Sequence, residues 1–285
     1  MTTYAVTGAT GHLGPLVLDA LLERGVPAGD LVAIARTPAR AAALADRGIA
    51  VRPGNYGQPD TLLAALSGVD VLLLVSGNEV GQRIAQHAAV VDAAEQAGVG
   101  RIAYTSLLRA DTSPIVLAPE HKATEELLRS SGVPFTILRN GWYLENYTAR
   151  IDEYTARGAI LGAAGDGRVS AAARADYAAA AAAVLTEDGH DRAVYELGGP
   201  AFTLTELAAE ITEATGNMVV YKDFGAADLR AALTEAGLDE GTAGFVTALD
   251  EAIARGELYT TSTDLVRLIG RPPTTLADAV RAVGR

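Results

Sequence analysis

A chain of 285 residues, 49% of them apolar, is long enough to bury a large core, and the absence of cysteine excludes disulfides, thiolate metal sites and a cysteine nucleophile. The formal net charge of -12 comes from acids scattered between helical faces, which speaks against nucleic acid and anionic membrane as partners and leaves small neutral substrates open. Four histidines give a metal cluster little to draw on, so demanding chemistry has to be borrowed from a cofactor.

The opening "MTTYAV" has no basic n-region or long apolar h-region and reads directly as a strand, with the cytoplasm as the expected location. Short aliphatic runs follow in order: "TYAVT", "LVAIA", "IAVR", "DVLLLV", "RIAYTS" and "FTILR". Between them "HLGPLVLDALLERG", "DTLLAALSG", "GQRIAQHAAVVDAAEQAG" and "HKATEELLRSSG" carry apolar residues at helical spacing and mostly stop at glycine. Continuous apolar strands alternating with helices predict an α/β, Rossmann-type doubly wound parallel sheet over residues 1–140, covered on both faces.

Beyond residue 140 the alternation loosens. "GAILGAAGDGRVSAA" is expected to form a hairpin or loop pair around Gly165 and Gly167, and "AVYELGG" another strand. "YAAAAAAVL" (Tyr177–Leu185) is far short of the roughly 20 apolar residues of a membrane span and predicts a helix able to lie close to a sheet or another helix. The boundary is therefore soft, with a return to the sheet around 170–198, and residues 141–285 are expected as a smaller mixed α/β C-terminal region that closes a substrate cleft. Within it, Thr203 and Glu206 are spaced as a capping box, and a terminal helix follows the Pro-Pro stop in "RPPTTLADAV".

In "VTGATGHLG", Gly8, Ala9, Thr10, Gly11, His12, Leu13 and Gly14 link the first strand to the first helix. Glycines permit a tight turn and close backbone approach, and the helix start offers free N–H groups to a pyrophosphate. An NAD site generally has Asp or Glu after the second strand to hold the ribose 2′-OH. Here Arg36 stands there, with Arg40 a turn later and no acid before Asp46, a layout that attracts a 2′-phosphate and favours NADP(H); the alternative is two solvated arginines at a helix start. "RNGWYLENY" gathers the only tryptophan, two tyrosines and two asparagines after a predicted strand end, where open α/β sheets bind ligands. Trp142 and Tyr143 can stack on a planar substrate, and Asn140 or Asn146 can bond a carbonyl oxygen; the alternative is a packed aromatic corner. Tyr104 lies within a strand pattern and reads as core.

"TGATGHLG" resembles the extended and atypical short-chain dehydrogenases, and "SGNEVGQR", "RIAYTSLLRADTSP", "EHKATE" and "ILRNGWYLENY" are similar to the NmrA-like atypical group, most closely its bacterial NADPH-dependent quinone reductases. The likeness continues through "GAAGDGRVSAAARADYAAAAA" to "LIGRPPTTLADAV" and covers nearly the whole chain. It implies that the Gly8–Gly14 loop holds the pyrophosphate, Arg36 the 2′-phosphate, and Ser76, Gly77 and Asn78 the path of ribose and nicotinamide. Asn140, Gly141, Trp142 and Tyr143 would line the nicotinamide and the substrate cleft, with Asn146 and Tyr147 beyond. Asn55 departs from the aspartate that relatives often keep near the adenine.

Dehydrogenases of this fold usually keep a tyrosine four residues before a lysine, yet Ala118 stands four residues before Lys122. The resemblance puts His121 where some relatives keep an active-site lysine. Adjacent helical residues point about 100° apart, so His121 is expected near the ribose and Lys122 toward solvent. Hydride addition to a ketone creates an alkoxide of conjugate pKa about 16, whereas a quinone yields a phenol-like anion of pKa about 10. At about 1.4 kcal/mol per unit, some 8 kcal/mol less stabilisation is asked of the protein. A strong acid is then dispensable, and His121 or water can finish protonation. The expected activity is hydride transfer from NADPH to a planar quinone without a flavin. Triphenylmethane dyes as acceptors, or a non-enzymatic NADP-binding redox sensor, are the rival readings, and a homo-oligomer stays open.

Overall fold

The computed structural model describes residues 1–284. Seven strands form one parallel sheet: β1 (Tyr4–Val6), β2 (Leu31–Ala35), β3 (Ala50–Pro53), β4 (Val71–Leu74), β5 (Arg101–Leu107), β6 (Phe135–Asn140) and, returning later, β8 (Val194–Leu197). Their spatial order is β3-β2-β1-β4-β5-β6-β8, the reversal beside β1 being the doubly wound crossover. The strand alternation explains the two layers. Val6, Leu31, Ala33 and Leu73 face one apolar cluster, while Ala5, Val32, Ile34, Leu72 and Leu74 face the other. Neither side is left for water, hence the near-continuous apolar strand sequences.

Helices α1 (Gly14–Glu23), α2 (Ala42–Ala45), α3 (Pro59–Leu66), α4 (Arg83–Ala97) and α5 (Ala118–Ser130) connect the first six strands, and α6 (Glu145–Thr148) and α7 (Ile151–Arg157) follow β6. Helix α8 (Arg174–Thr186) then comes back to the sheet ahead of β8 and packs against α1. Nine of its residues are buried, six of them small or β-branched: Ala178, Ala180 to Ala183 and Val184. Methyl-sized side chains on both faces are what allow a helix to be enclosed between a neighbour and a sheet.

The remaining elements are α9 (Leu204–Thr215), α10 (Ala226–Glu235), α11 (Glu240–Ala254), α12 (Asp264–Ile269) and α13 (Leu276–Val283), with a small sheet of β7 (Ala159–Gly162) and β9 (Val220–Asp223). α9, α11, α13 and β7 contribute to a second apolar cluster, to which Ile160, Phe202, Leu207, Ile211, Ile253 and Val280 belong, whereas α10 packs in a small cluster with Leu229 and Leu233, and α12 joins the large-sheet cluster through Leu265 and Leu268. The capping box forms at α9, Thr203 accepting from the Glu206 N–H and Glu206 from the Thr203 N–H. Of the hairpin or loop pair expected around Gly165 and Gly167, the chain forms loops and turns, not a hairpin. Strand β7 pairs in parallel with distant β9, and residues after Gly162 turn away because Asp250 and Asp223 carboxylates capture the N–H groups of Ala163 and Gly165. Among the described residues, no helix is long and apolar enough to cross a membrane.

Candidate active site

A cleft of about 530 Å³ runs along the carboxyl ends of the strands, within the range of small-molecule sites. Its first wall is the turn after β1. Gly8 takes a left-handed φ of +61°, Gly11 N donates to Gly8 O at 2.9 Å, and a Cβ on Gly14 would lie 2.4 Å from Gly8 O. The helix thus starts directly under the loop, with Thr10, Gly11, His12 and Leu13 facing the cleft. Ala9 and Gly14, named with them from the motif, are absent from the wall. Ala9 is buried, its N–H donating to Ile34 O at 3.2 Å, and Gly14 packs loop on helix.

Arg36 and Arg40 both line the cleft beyond β2 and both are exposed. Arg36 is bonded to Glu79 at 2.7 Å, and Gln86 Nε2 donates to the other Glu79 oxygen at 2.8 Å. Asn55 lines the same region.

The middle of the cleft is held by a buried polar chain. Ser76 N donates to Thr105 Oγ1 at 2.9 Å and Gly77 N to His87 Nε2 at 3.0 Å. Since Nε2 accepts, neutral His87 carries its proton on Nδ1 and donates it to Thr124 Oγ1 at 2.9 Å. The Thr124 hydroxyl in turn donates to Glu120 O at 2.9 Å. Arg83 donates to Gly77 O at 2.8 Å and pairs with Glu120 at 2.9 Å, tying the segment of Ser76, Gly77 and Asn78 to α5. His121 lies against this chain, 6% exposed, lining the cleft with its Nδ1 2.8 Å from the Tyr104 hydroxyl; Lys122 is exposed. Burial, then the charge of Arg83, pushes both His87 and His121 down to about 3, so His121 is a neutral imidazole at physiological pH. Burial likewise raises Tyr104, a core residue that nonetheless touches the site.

At the far end, β6 delivers Asn140, Gly141, Trp142 and Tyr143 to the wall. A Cβ on Gly141 would meet Ser170 O at 2.7 Å, so only glycine lets the chain pass there. Asn140 Oδ1 is buried with no hydrogen-bond partner, an acceptor that a donor entering the cleft would satisfy. Two expected substrate contacts lie off the wall. Asn146 faces back, its Oδ1 accepting from Arg174 Nη2 at 3.0 Å, because α6 begins at Glu145 and turns it away from the opening. Tyr147 packs edge-on against Phe202, 5.7 Å between centroids, in the second core.

Sequence reasoning missed Arg174, whose guanidinium stands 4.8 Å over the Tyr143 ring in the cleft wall. A signal was present: a cation in the first turn of an alanine helix opposes the helix dipole. Ser106, also on the wall, gives its hydroxyl to buried Glu125 at 2.6 Å. A glycine cradle under a helix start, exposed arginines after β2 and an orphaned acceptor after β6 together fit an extended dinucleotide.

Residues 8–188 match the model of an NAD(P)H-binding family. The chain is 52% identical over 277 residues to quinone oxidoreductase 2 of Escherichia coli (strain K12), covering 97% of this chain and 96% of that one. The crystal structure of the NADPH-dependent quinone oxidoreductase from Escherichia coli with NADPH superposes with a TM-score of 0.96 at 51% identity, over 99% and 100% of the two chains. Triphenylmethane reductase of Citrobacter sp. complexed with NADP(H) superposes at 0.94 with 41% identity, over 99% and 100%.

Proposed function

The chain belongs to the NAD(P)H-binding, NmrA-like family of reductases, and from that premise we propose that it is an NADPH-dependent quinone reductase working without a flavin. The observation that carries this reading is the far end of the cleft. It pairs aromatic faces with an unpartnered amide acceptor and a neutral imidazole, and it holds no tyrosine-lysine acid. Such a site asks for an acceptor whose reduced form is already a stable anion.

NADPH, when bound, supplies the hydride. The Gly8–Gly14 loop and the N-terminus of α1 would hold the pyrophosphate, and Arg36, bonded to Glu79, would hold the 2′-phosphate. Ser76, Gly77 and Asn78, kept in place by His87 and Arg83, would hold the ribose and nicotinamide. Asn140 Oδ1 would accept from a donor group of the cofactor, since a quinone has none to offer. Trp142 and the Arg174-capped Tyr143 would flank the quinone, and fixed geometry supplies most of the rate. His121 borders the cleft as a neutral polar group, and water delivers the final proton.

NADPH oxidation with 1,4-benzoquinone tests the reading, with NADH and a triphenylmethane dye in parallel. The expected result is turnover with benzoquinone, faster with NADPH than NADH. Tight NADP binding without turnover of either acceptor would overturn it in favour of a redox sensor, and turnover of the dye alone would reassign the acceptor.

A further inference from the structure

We propose that Arg174 is the anion-binding catalytic residue of this cleft, its guanidinium taking up the negative charge that reduction places on the substrate oxygen. The inference rests on the quinone reading and adds to it the group that stands in for the missing acid.

Among the described residues, four cationic side chains line the cleft: Arg36, Arg40, Arg83 and Arg174. The first two follow β2, four strand spacings from β6, roughly 19 Å at the usual interval. Arg83 is 4% exposed and already paired with Glu120. Arg174 alone stands beside Asn140 and Tyr143, where aromatic faces would hold a planar ring. Its fixing is particular. Stacking on Tyr143 sets the plane, and a neutral amide, Asn146 Oδ1, takes one of its five N–H donors at 3.0 Å without cancelling the charge. The Glu145 carboxylate accepts from the Arg174 backbone N–H at 2.8 Å and forms an ion pair with the guanidinium, 3.9 Å from Nη1, which offsets part of the charge but is too long to take up an N–H donor. Donors on the guanidinium therefore remain for a ligand. The position carries no helix-stabilising benefit, because a cation at a helix N-terminus faces the positive end of the dipole.

The balance of the step is simple. Hydride, a proton with two electrons, converts the quinone to the hydroquinone monoanion; the charge sits on a ring oxygen, Arg174 donates a hydrogen bond to it and keeps its own proton, and water supplies the proton that completes the hydroquinone. A preorganised cation in a partly closed site is most effective at such a developing charge. Asn146 is then a positioning residue, acting through Arg174.

The test uses 4-nitrophenol, whose anion is coloured, bound to the NADP⁺-loaded protein and titrated by absorbance. In the unsubstituted protein its apparent pKa is expected roughly one unit below the value in water, a tenfold preference for the anion. Arg174→Gln should abolish most of that shift, Arg174→Lys should keep part of it, and Asn146→Ala should fall between. With benzoquinone, Arg174→Gln should lower kcat by about a hundredfold at unchanged NADPH affinity. An unshifted titration in the unsubstituted protein, an equal shift in Arg174→Gln, or a loss of NADPH affinity matching the loss of turnover would each overturn the proposal. If the unsubstituted protein turned over no quinone, the functional reading would fail, while the nitrophenol titration would still decide whether Arg174 binds an aryl oxyanion.

Discussion

The two ends of the cleft are built by different means. The β1–β2 end is made of backbone and exposed charge: a left-handed Gly8, a Gly14 that tolerates no side chain, and two exposed arginines. Apart from Gly141, the β6 end is made of side chains, those of His121, Asn140, Trp142, Tyr143 and Arg174, held by hydrogen bonds and stacking. A dinucleotide's pyrophosphate has one fixed shape and can be met by one contiguous loop. A substrate must be met by groups gathered from afar, and those groups need a supporting layer of their own.

The sharpest way to break this contrast is at the loop. Gly14→Val would force atoms against Gly8 O, and we expect loss of NADPH binding with about 3 kcal/mol of folding stability, measured by cofactor fluorescence titration and urea unfolding. Retained binding would mean the loop is more pliable than its packing implies.

The opposite end should respond to pH. His87 and His121 are held at about 3 against a usual 6.5. As pH falls through 6.5 the unfolded chain takes up these protons and the folded chain does not, so stability is fully present above that value. It is lost toward pH 3 at about 1.4 kcal/mol per unit for each histidine. Urea midpoints recorded between roughly pH 7 and pH 4.5 should fall accordingly, and less steeply in His121→Asn. A flat series would mean that both imidazoles are hydrated.

Arg36→Ala separates the cofactor end by ligand. A charge-assisted bond of about 1.5–3 kcal/mol predicts roughly ten- to a hundredfold weaker NADPH binding and little change for NADH. Equal losses would remove the 2′-phosphate assignment. The smallest effect is expected for Tyr104→Phe, which deletes the 2.8 Å contact to His121 for about 1 kcal/mol and a few-fold in benzoquinone turnover, with NADPH affinity unaltered.

The same contrast explains what could be read before the fold was known. Apolar strands alternating with helices identified the first six strands of the large sheet, and the glycine spacing located the loop, because both are local consequences of backbone geometry, whereas β8 was read as a strand without a place in the strand order. Asn146 and Tyr147 were named for the wall on adjacency in sequence, yet one turn of α6 rotates them behind it. Arg174 comes to the site across β7 and its following loop, a juxtaposition no local pattern encodes. The parallel pairing of β7 with β9 was likewise hidden, since its partner lies some sixty residues away and two glycines suggested a nearer one.

Strand β8 carries a consequence for synthesis. Val194 to Leu197 pair in register with Ile137 to Asn140, so the outer edge of β6 stays open until residues far downstream have left the ribosome. During that interval the nascent chain presents a six-residue, fully buried-type strand with unpaired N–H and C=O groups, a template for pairing with other chains. Truncation before β8 would leave that edge permanently bare, and translation speed across residues 141–193 sets how long each new molecule is exposed to misassembly.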